Sequence, residues 1–194
     1  MNTNPRKSVA VFAGTVLLCL CSLFSLPAPS GAPVPVTLHD GAAVLLGILL
    51  GPAAGAGSVG LFFLAGAAGL PLFPGGQATI QAFRTVTGGY LIGWFLAAVI
   101  AGLCTHKIQD TDSRAAAFPA ILHGAVAGIL CSSIPAILAL KNLYGAGLAG
   151  AILHAFVPYL PAILVKLVLS VITAGALRKP VRLWMDNGKN KQIS

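Results

Sequence analysis

Long apolar runs separated by almost no charge leave this chain one kind of environment. They cover residues 9–26, 34–51, 53–72, 87–104, 118–140 and 159–177. Each approaches the roughly 20 residues that carry a helix across a hydrocarbon layer about 30 Å thick. Inside a bilayer the backbone has no water to bond, so each run must satisfy its own N–H and C=O groups as a helix. Only 8 % of the 194 residues are charged, against about 25 % in soluble domains, too few to coat a soluble surface. The expected fold is an all-α integral membrane protein, a single membrane domain over residues 1–194 with six transmembrane helices.

Two boundaries need argument. The first run follows Arg6 and Lys7 as the core of a signal peptide would, but no clear A-x-A cleavage site comes after it, and it is read as a first span. The apolar region 148–177 exceeds one span. Pro158 and Pro161 divide it, because proline removes a donor and clashes with the preceding turn. A short segment is therefore expected before Pro158 and the sixth span after it. Gly47-x-x-x-Gly51, Gly51-x-x-x-Gly55 and Gly124-x-x-x-Gly128 are spacings that let helix backbones approach closely. The four cysteines lie in or beside apolar runs and read as small hydrophobes.

The net charge of +8 does not indicate nucleic acid, because the basic residues gather at the chain ends and in one loop. With six spans, both termini share a side with nine basic residues, against two, Arg84 and Lys141, on the other. The positive-inside rule then puts the termini in the cytoplasm and the protein in the cytoplasmic (inner) membrane. Lys166 falls within the sixth span.

Polar groups are costly in hydrocarbon, so the few present mark candidate sites. There are four acids, all aspartates. Asp110, Asp112 and Asp186 belong to the loop and tail. Asp40, with His39, opens the second span, where it is read either as a helix cap or as a ligand contact. Arg84 lies between spans three and four among Gln77, Thr79 and Gln81, and its planar fork suits a carboxylate or a ring carbonyl. Lys166 stands about 10 Å down the sixth helix and requires a partner, water or a polar ligand. Acid pairs, H-E-x-x-H and G-x-S-x-G are absent from the sequence, so neither an enzyme nor a metal site is expected. No P-loop is present either. These residues alone describe a site for a small, polar-headed solute, neutral or anionic.

The stretch Pro33–Gly102 resembles the BioY family, the biotin-specific substrate-binding (S) components of energy-coupling-factor (ECF) transporters. The resemblance rests on Pro35-Val36-Thr37-Leu38-His39, Leu49-Leu50-Gly51-Pro52, the run Gly69–Gly76, and Thr85–Leu91 with Tyr90, in matching order and spacing. Pro161–Lys166 stands where the family has P-G-D-x-x-K. His39 replaces the usual Gln, Thr85-Val86 replace Gly-Pro, and Ile163 replaces an Asp thought to help hold the biotin ring. The resemblance implies an ECF S-component-like bundle that takes up biotin; joined with the residue reading above, it gives Arg84, Lys166, Asp40, His39, Gln77, Gln81, Tyr90 and Ile163 as candidate substrate-binding positions. Asp40, across the opening, is a candidate to replace the missing acid, with the helix-cap reading as the alternative. It also implies a transmembrane coupling subunit and two ATP-binding subunits as partners, and no cofactor in this chain. Ala10, Gly14 and Ala13 form a small-residue face for the coupling subunit or for internal packing. The alternatives are an S component or solo importer for another vitamin, an intramembrane enzyme, or a scaffold.

Overall fold

A computed structural model describes residues 5–28, 32, 34–73, 79–108, 113–145 and 147–190. Gln77, Asp110 and Asp112 lie outside the described residues. Helix α1 (Pro5–Cys21) leads into a two-stranded antiparallel ribbon, β1 (Ser25–Leu26) with β2 (Val36–Thr37), in which Ser25 faces Thr37. Then come α2 (His39–Leu50), α3 (Pro52–Ala67), the short α4 (Thr79–Phe83), α5 (Val86–Thr105), α6 (Arg114–Tyr144), α7 (Leu148–Ala155), a 3-10 turn (Val157–Tyr159) and α8 (Leu160–Asn190). The fold is an all-α membrane bundle. The stretches Val86–Thr105, Ala115–Leu143 and Leu148–Asp186 are long and apolar enough to cross a membrane, and α2 and α3 are shorter apolar helices.

Several helices differ in extent from the apolar runs. The run 34–51 is helical only from His39, and its first residues are extended. Pro35 has no N–H to give a helix and disfavours helical geometry in the residue before it, while β2 finds its partner in β1. Helix α2 therefore has 12 residues, about 18 Å. Non-helical backbone at membrane depth persists where protein buries it or where it lines a cavity. Helices α6 and α8 run to 31 residues each, about 46 Å, and extend past the apolar runs. Helix α8 passes through Pro180 to Asn190.

Glycines set the distances between the central helices. A Cβ on Gly47 of α2 would collide with the Ala98 carbonyl of α5, and one on Gly93 of α5 would collide with the Ser132 carbonyl of α6. These are backbone atoms that cannot swing aside, so only glycine permits either crossing. Gly51, at φ 89°, makes the tight turn from α2 to α3.

One end of the bundle is tied by arginines. Arg178 of α8 is buried and donates to the carbonyls of Thr105 and Ile108 at 3.1 and 3.2 Å, at and just past the C-terminus of α5. The Arg182 guanidinium lies against Gly51. Arg6 donates to the Trp184 carbonyl at 2.9 Å and sits 5.7 Å from that indole. This end joins the start of α1, the α2–α3 turn, the end of α5 and the second half of α8. Ala10 and Gly14 of the small-residue face are buried in the bundle. Gly14 faces Ser58 and Leu46, and Ala13 remains exposed. Two of those three positions therefore serve internal packing.

Candidate functional site

The opposite end of the bundle holds a narrow cavity of about 40 Å³, room for a few waters. Its walls come from the extended approach to α2 (Pro35, Val36, Thr37), from Asp40 on α2, from Tyr90 and Trp94 on α5, from Ser132 and Ser133 on α6, and from Tyr159, Ile163 and Lys166 around the start of α8. Four separated parts of the chain thus meet where α2, α5 and α8 begin and α6 nears its end.

A buried ion pair crosses this cavity. Lys166 Nζ lies 2.7 Å from both carboxylate oxygens of Asp40 and donates to the Thr37 carbonyl at 3.1 Å. The side chains of Lys166 and Asp40 are 8 % and 15 % exposed. A buried ammonium is tolerable when paired and hydrogen-bonded, and here the carboxylate arrives from a residue 126 positions away. Asp40 makes no cap bond at the start of α2, which has no side-chain cap. The pair carries no net charge but presents an acceptor and a donor side by side. Ile163, one turn before Lys166, adds an apolar wall.

Tyr159 fixes the extended segment. Its hydroxyl donates to the Val34 carbonyl at 2.6 Å and accepts from the Val34 N–H at 3.1 Å, satisfying both backbone groups of a non-helical residue. The Tyr159 ring stands edge-on to Tyr90, 6.1 Å between centroids. Ser132 and Ser133 both donate to the Ile129 carbonyl, at 2.7 and 3.2 Å, just before Pro135 interrupts α6. Proline removes the donor that would bond the Cys131 carbonyl four residues earlier, while α6 stays continuous through Pro135.

The residues picked from sequence divide into three groups. Asp40, Tyr90, Ile163 and Lys166 line the cavity together. His39 is buried, 1 % exposed, and lies behind the wall, stacked on Trp94. Arg84 and Gln81 are exposed, at and just beyond α4, and are absent from the lining. Trp94, Tyr159, Ser132 and Ser133 also line the cavity, outside the candidate positions that the sequence offers. Trp94 carried a signal: it follows Tyr90 by four residues, hence on the same helix face. Tyr159 stands beside the Pro158 break. A second, larger groove of about 160 Å³ lies between α1, α2 and α8. Its lining is largely apolar, with Leu17, Leu38, Leu45 and Leu169 alongside Lys166, Ser170 and Thr173, and it lacks the convergent polar groups expected of a solute site.

Known proteins share this arrangement of chain. The sequence pattern of the BioY family matches residues 1–183. The biotin transporter BioY of Thermotoga maritima is 32 % identical over 174 residues, covering 90 % of this chain and 96 % of that protein. The biotin transporter BioY of Rhodobacter capsulatus is 30 % identical over 175 residues, covering 86 % and 88 %. The crystal structure of the S-component for biotin from an ECF-type ABC transporter superposes with a TM-score of 0.77 at 25 % identity, covering 92 % of this chain and 95 % of that one.

Proposed function

This chain belongs to the BioY family, and on that footing we propose that it captures biotin for uptake across the cytoplasmic membrane, as the S component of an ECF-type transporter. It is a binding subunit, not an enzyme. The observation that carries the site assignment is the buried Asp40–Lys166 pair spanning the cavity. Biotin has a neutral ureido ring, a thioether ring and a carboxylate tail. The ureido head needs a donor and an acceptor close together, and Lys166 and Asp40 provide them without leaving a net charge to be neutralised. The thioether ring needs apolar walls of the kind Trp94, Ile163 and Val36 form. The tail needs a cation, and Arg84, exposed on the same side of the bundle as the start of α5, is the candidate for it.

The cavity is far smaller than biotin. Binding on this reading displaces wall side chains, and the Asp40–Lys166 contact is the one that would exchange protein partners for ligand partners. A coupling subunit and two ATP-binding subunits supply the energy for transport, and the chain sits in the inner membrane with both termini cytoplasmic.

Equilibrium binding of labelled biotin to the purified chain in detergent tests this. Saturable binding that excess riboflavin or thiamin does not displace is the expected result. Displacement by another vitamin, or no saturable binding, would defeat the biotin assignment.

A further inference from the structure

His39 does not line the cavity; its ring is held by three neighbours, while its buried Nδ1 has no hydrogen-bond partner among the described residues. Its ring lies 4.4 Å from Trp94, centroid to centroid, with 11° between the planes. Phe62 closes the same cluster at 5.2 Å from His39 and 6.4 Å from Trp94. Trp94 is itself only 3 % exposed, and the face it shows is cavity wall. The indole therefore has biotin's proposed volume on one side and an imidazole on the other.

The imidazole is held in turn. Its Nε2 lies 3.1 Å from Ser22 Oγ, at the end of α1, and that hydroxyl lies 3.4 Å from the Leu18 carbonyl. Assigned from this network, Nε2–H donates to Ser22, whose hydroxyl donates to Leu18. Three contacts thus fix the ring plane: the hydrogen bond to Ser22, the stack on Trp94 and the tilt against Phe62. Core packing alone would not require a planar polar ring here, since an aliphatic side chain fills such a volume at lower desolvation cost.

We propose that His39 is a positioning residue for ligand binding: a rigid backing plate, anchored to α1 through Ser22, that sets the plane of Trp94 in the cavity wall. It acts through Trp94 and does not touch the ligand. The inference rests on the biotin reading for the identity of the ligand but not for the rigidity of Trp94.

The chain has two tryptophans, and Trp184 lies at the far end of the bundle. In a Trp184→Phe background, Trp94 alone reports, through its emission intensity and anisotropy with and without biotin. His39→Leu keeps an apolar volume and loses the planar stack and the hydrogen bond. It is expected to change Trp94 emission, lower its anisotropy and weaken biotin binding about tenfold, the scale of one aromatic pair. His39→Gln restores a flat amide able to stack and to bond Ser22, and is expected to stay within about threefold of wild-type affinity. Ser22→Ala removes the anchor without disturbing the core, and is expected to lower Trp94 anisotropy even if His39→Leu fails to fold. Unchanged Trp94 signals in His39→Leu and Ser22→Ala would overturn the proposal. So would a loss of affinity with Trp94 signals intact, which would make His39 a direct contact. If wild type binds no biotin, the family-based reading fails, and the ligand-free Trp94 signals still decide this one.

Discussion

Lys166 and Asp40 are more tightly bound to each other than to anything else described around the cavity, and their substitutions should separate stability from recognition. Lys166→Met leaves the Asp40 carboxylate buried without its cation, and breaking a buried pair from one side costs about 3–5 kcal/mol. Thermal melting in detergent should show a marked drop. The double variant Asp40→Asn with Lys166→Met removes both charges and should recover most of that stability, yet it should bind biotin at least as poorly as either single variant. Recovery of binding together with stability would show that the pair is structural only. Arg84 presents the converse case. It is exposed, so Arg84→Ala should leave the melting temperature unchanged. If it holds the carboxylate tail, the variant should bind biotin weaker by about 1.5–3 kcal/mol, on the order of 10- to 100-fold. Unaltered affinity in a calorimetric titration would remove Arg84 from the site. Ile163→Asp places a second carboxylate one turn from Lys166, on nearly the same helix face. With Asp40 already paired there, affinities for Ile163→Asp, Asp40→Asn and both together form a double-mutant cycle. The expected coupling is that the carboxylate introduced by Ile163→Asp offsets the loss of the one removed by Asp40→Asn; additive effects would show that the two positions are not exchangeable.

The helices hold the cavity open by how closely they pack elsewhere. Gly93 presses α5 onto the Ser132 carbonyl of α6, and Ser132 lines the cavity. Gly93→Ala must push the two backbones apart, an overpacking cost of about 1–3 kcal/mol, and it moves a wall as it does so. Lower melting temperature and weaker biotin binding should therefore appear together. Gly60→Ala, with nothing within 4 Å of the added carbon, is the control that should change neither. Equal behaviour of the two variants would refute the close α5–α6 crossing. At Val34 the extended segment before α2 is held by the Tyr159 hydroxyl. Tyr159→Phe strips both bonds from Val34, and two backbone groups at a cavity wall then rely on water. The ring contact with Tyr90 survives, so the expected effect falls on ligand affinity more than on melting temperature.

At the scale of the molecule, polar contacts segregate. The arginine ties Arg6–Trp184, Arg178–Thr105 and Arg182–Gly51 gather at one end, and the ribbon, the cavity and the Asp40–Lys166 pair at the other. With basic residues biased to the terminal side, the orientation we propose turns the cavity outward and the termini to the cytoplasm. In a cysteine-free background, Gly147→Cys in the exposed link between α6 and α7 should react with a membrane-impermeant maleimide in intact cells, while a C-terminal tag should stay protected from external protease. The reverse pattern would invert the topology and defeat capture from outside. The exposed side of α1, with Val9, Phe12, Val16 and Leu20, is open to lipid or a partner, whereas Ala10 and Gly14 are buried, Gly14 against Ser58 and Leu46.

Sequence by itself determined the environment, the order of the apolar runs, the charge bias between the two ends and the family, because the cost of placing each residue in hydrocarbon is local and adds along the chain. The same reasoning singled out Lys166 as needing a partner, for a lone ammonium at that depth is costly wherever the rest of the chain goes. Only the tertiary structure decided which partner. Asp40 meets Lys166 across 126 positions because α2 begins late, after an extended segment, and because α8 turns that face inward. Helix rotation and register are set by glycine contacts such as Gly47 on Ala98, which hydropathy does not encode. The same rotation put His39 behind Trp94 instead of in the cavity, turned Ala10 and Gly14 into the core, and left Arg84 on the surface. A residue's type says what it needs, and the angle at which its helix packs decides what it meets.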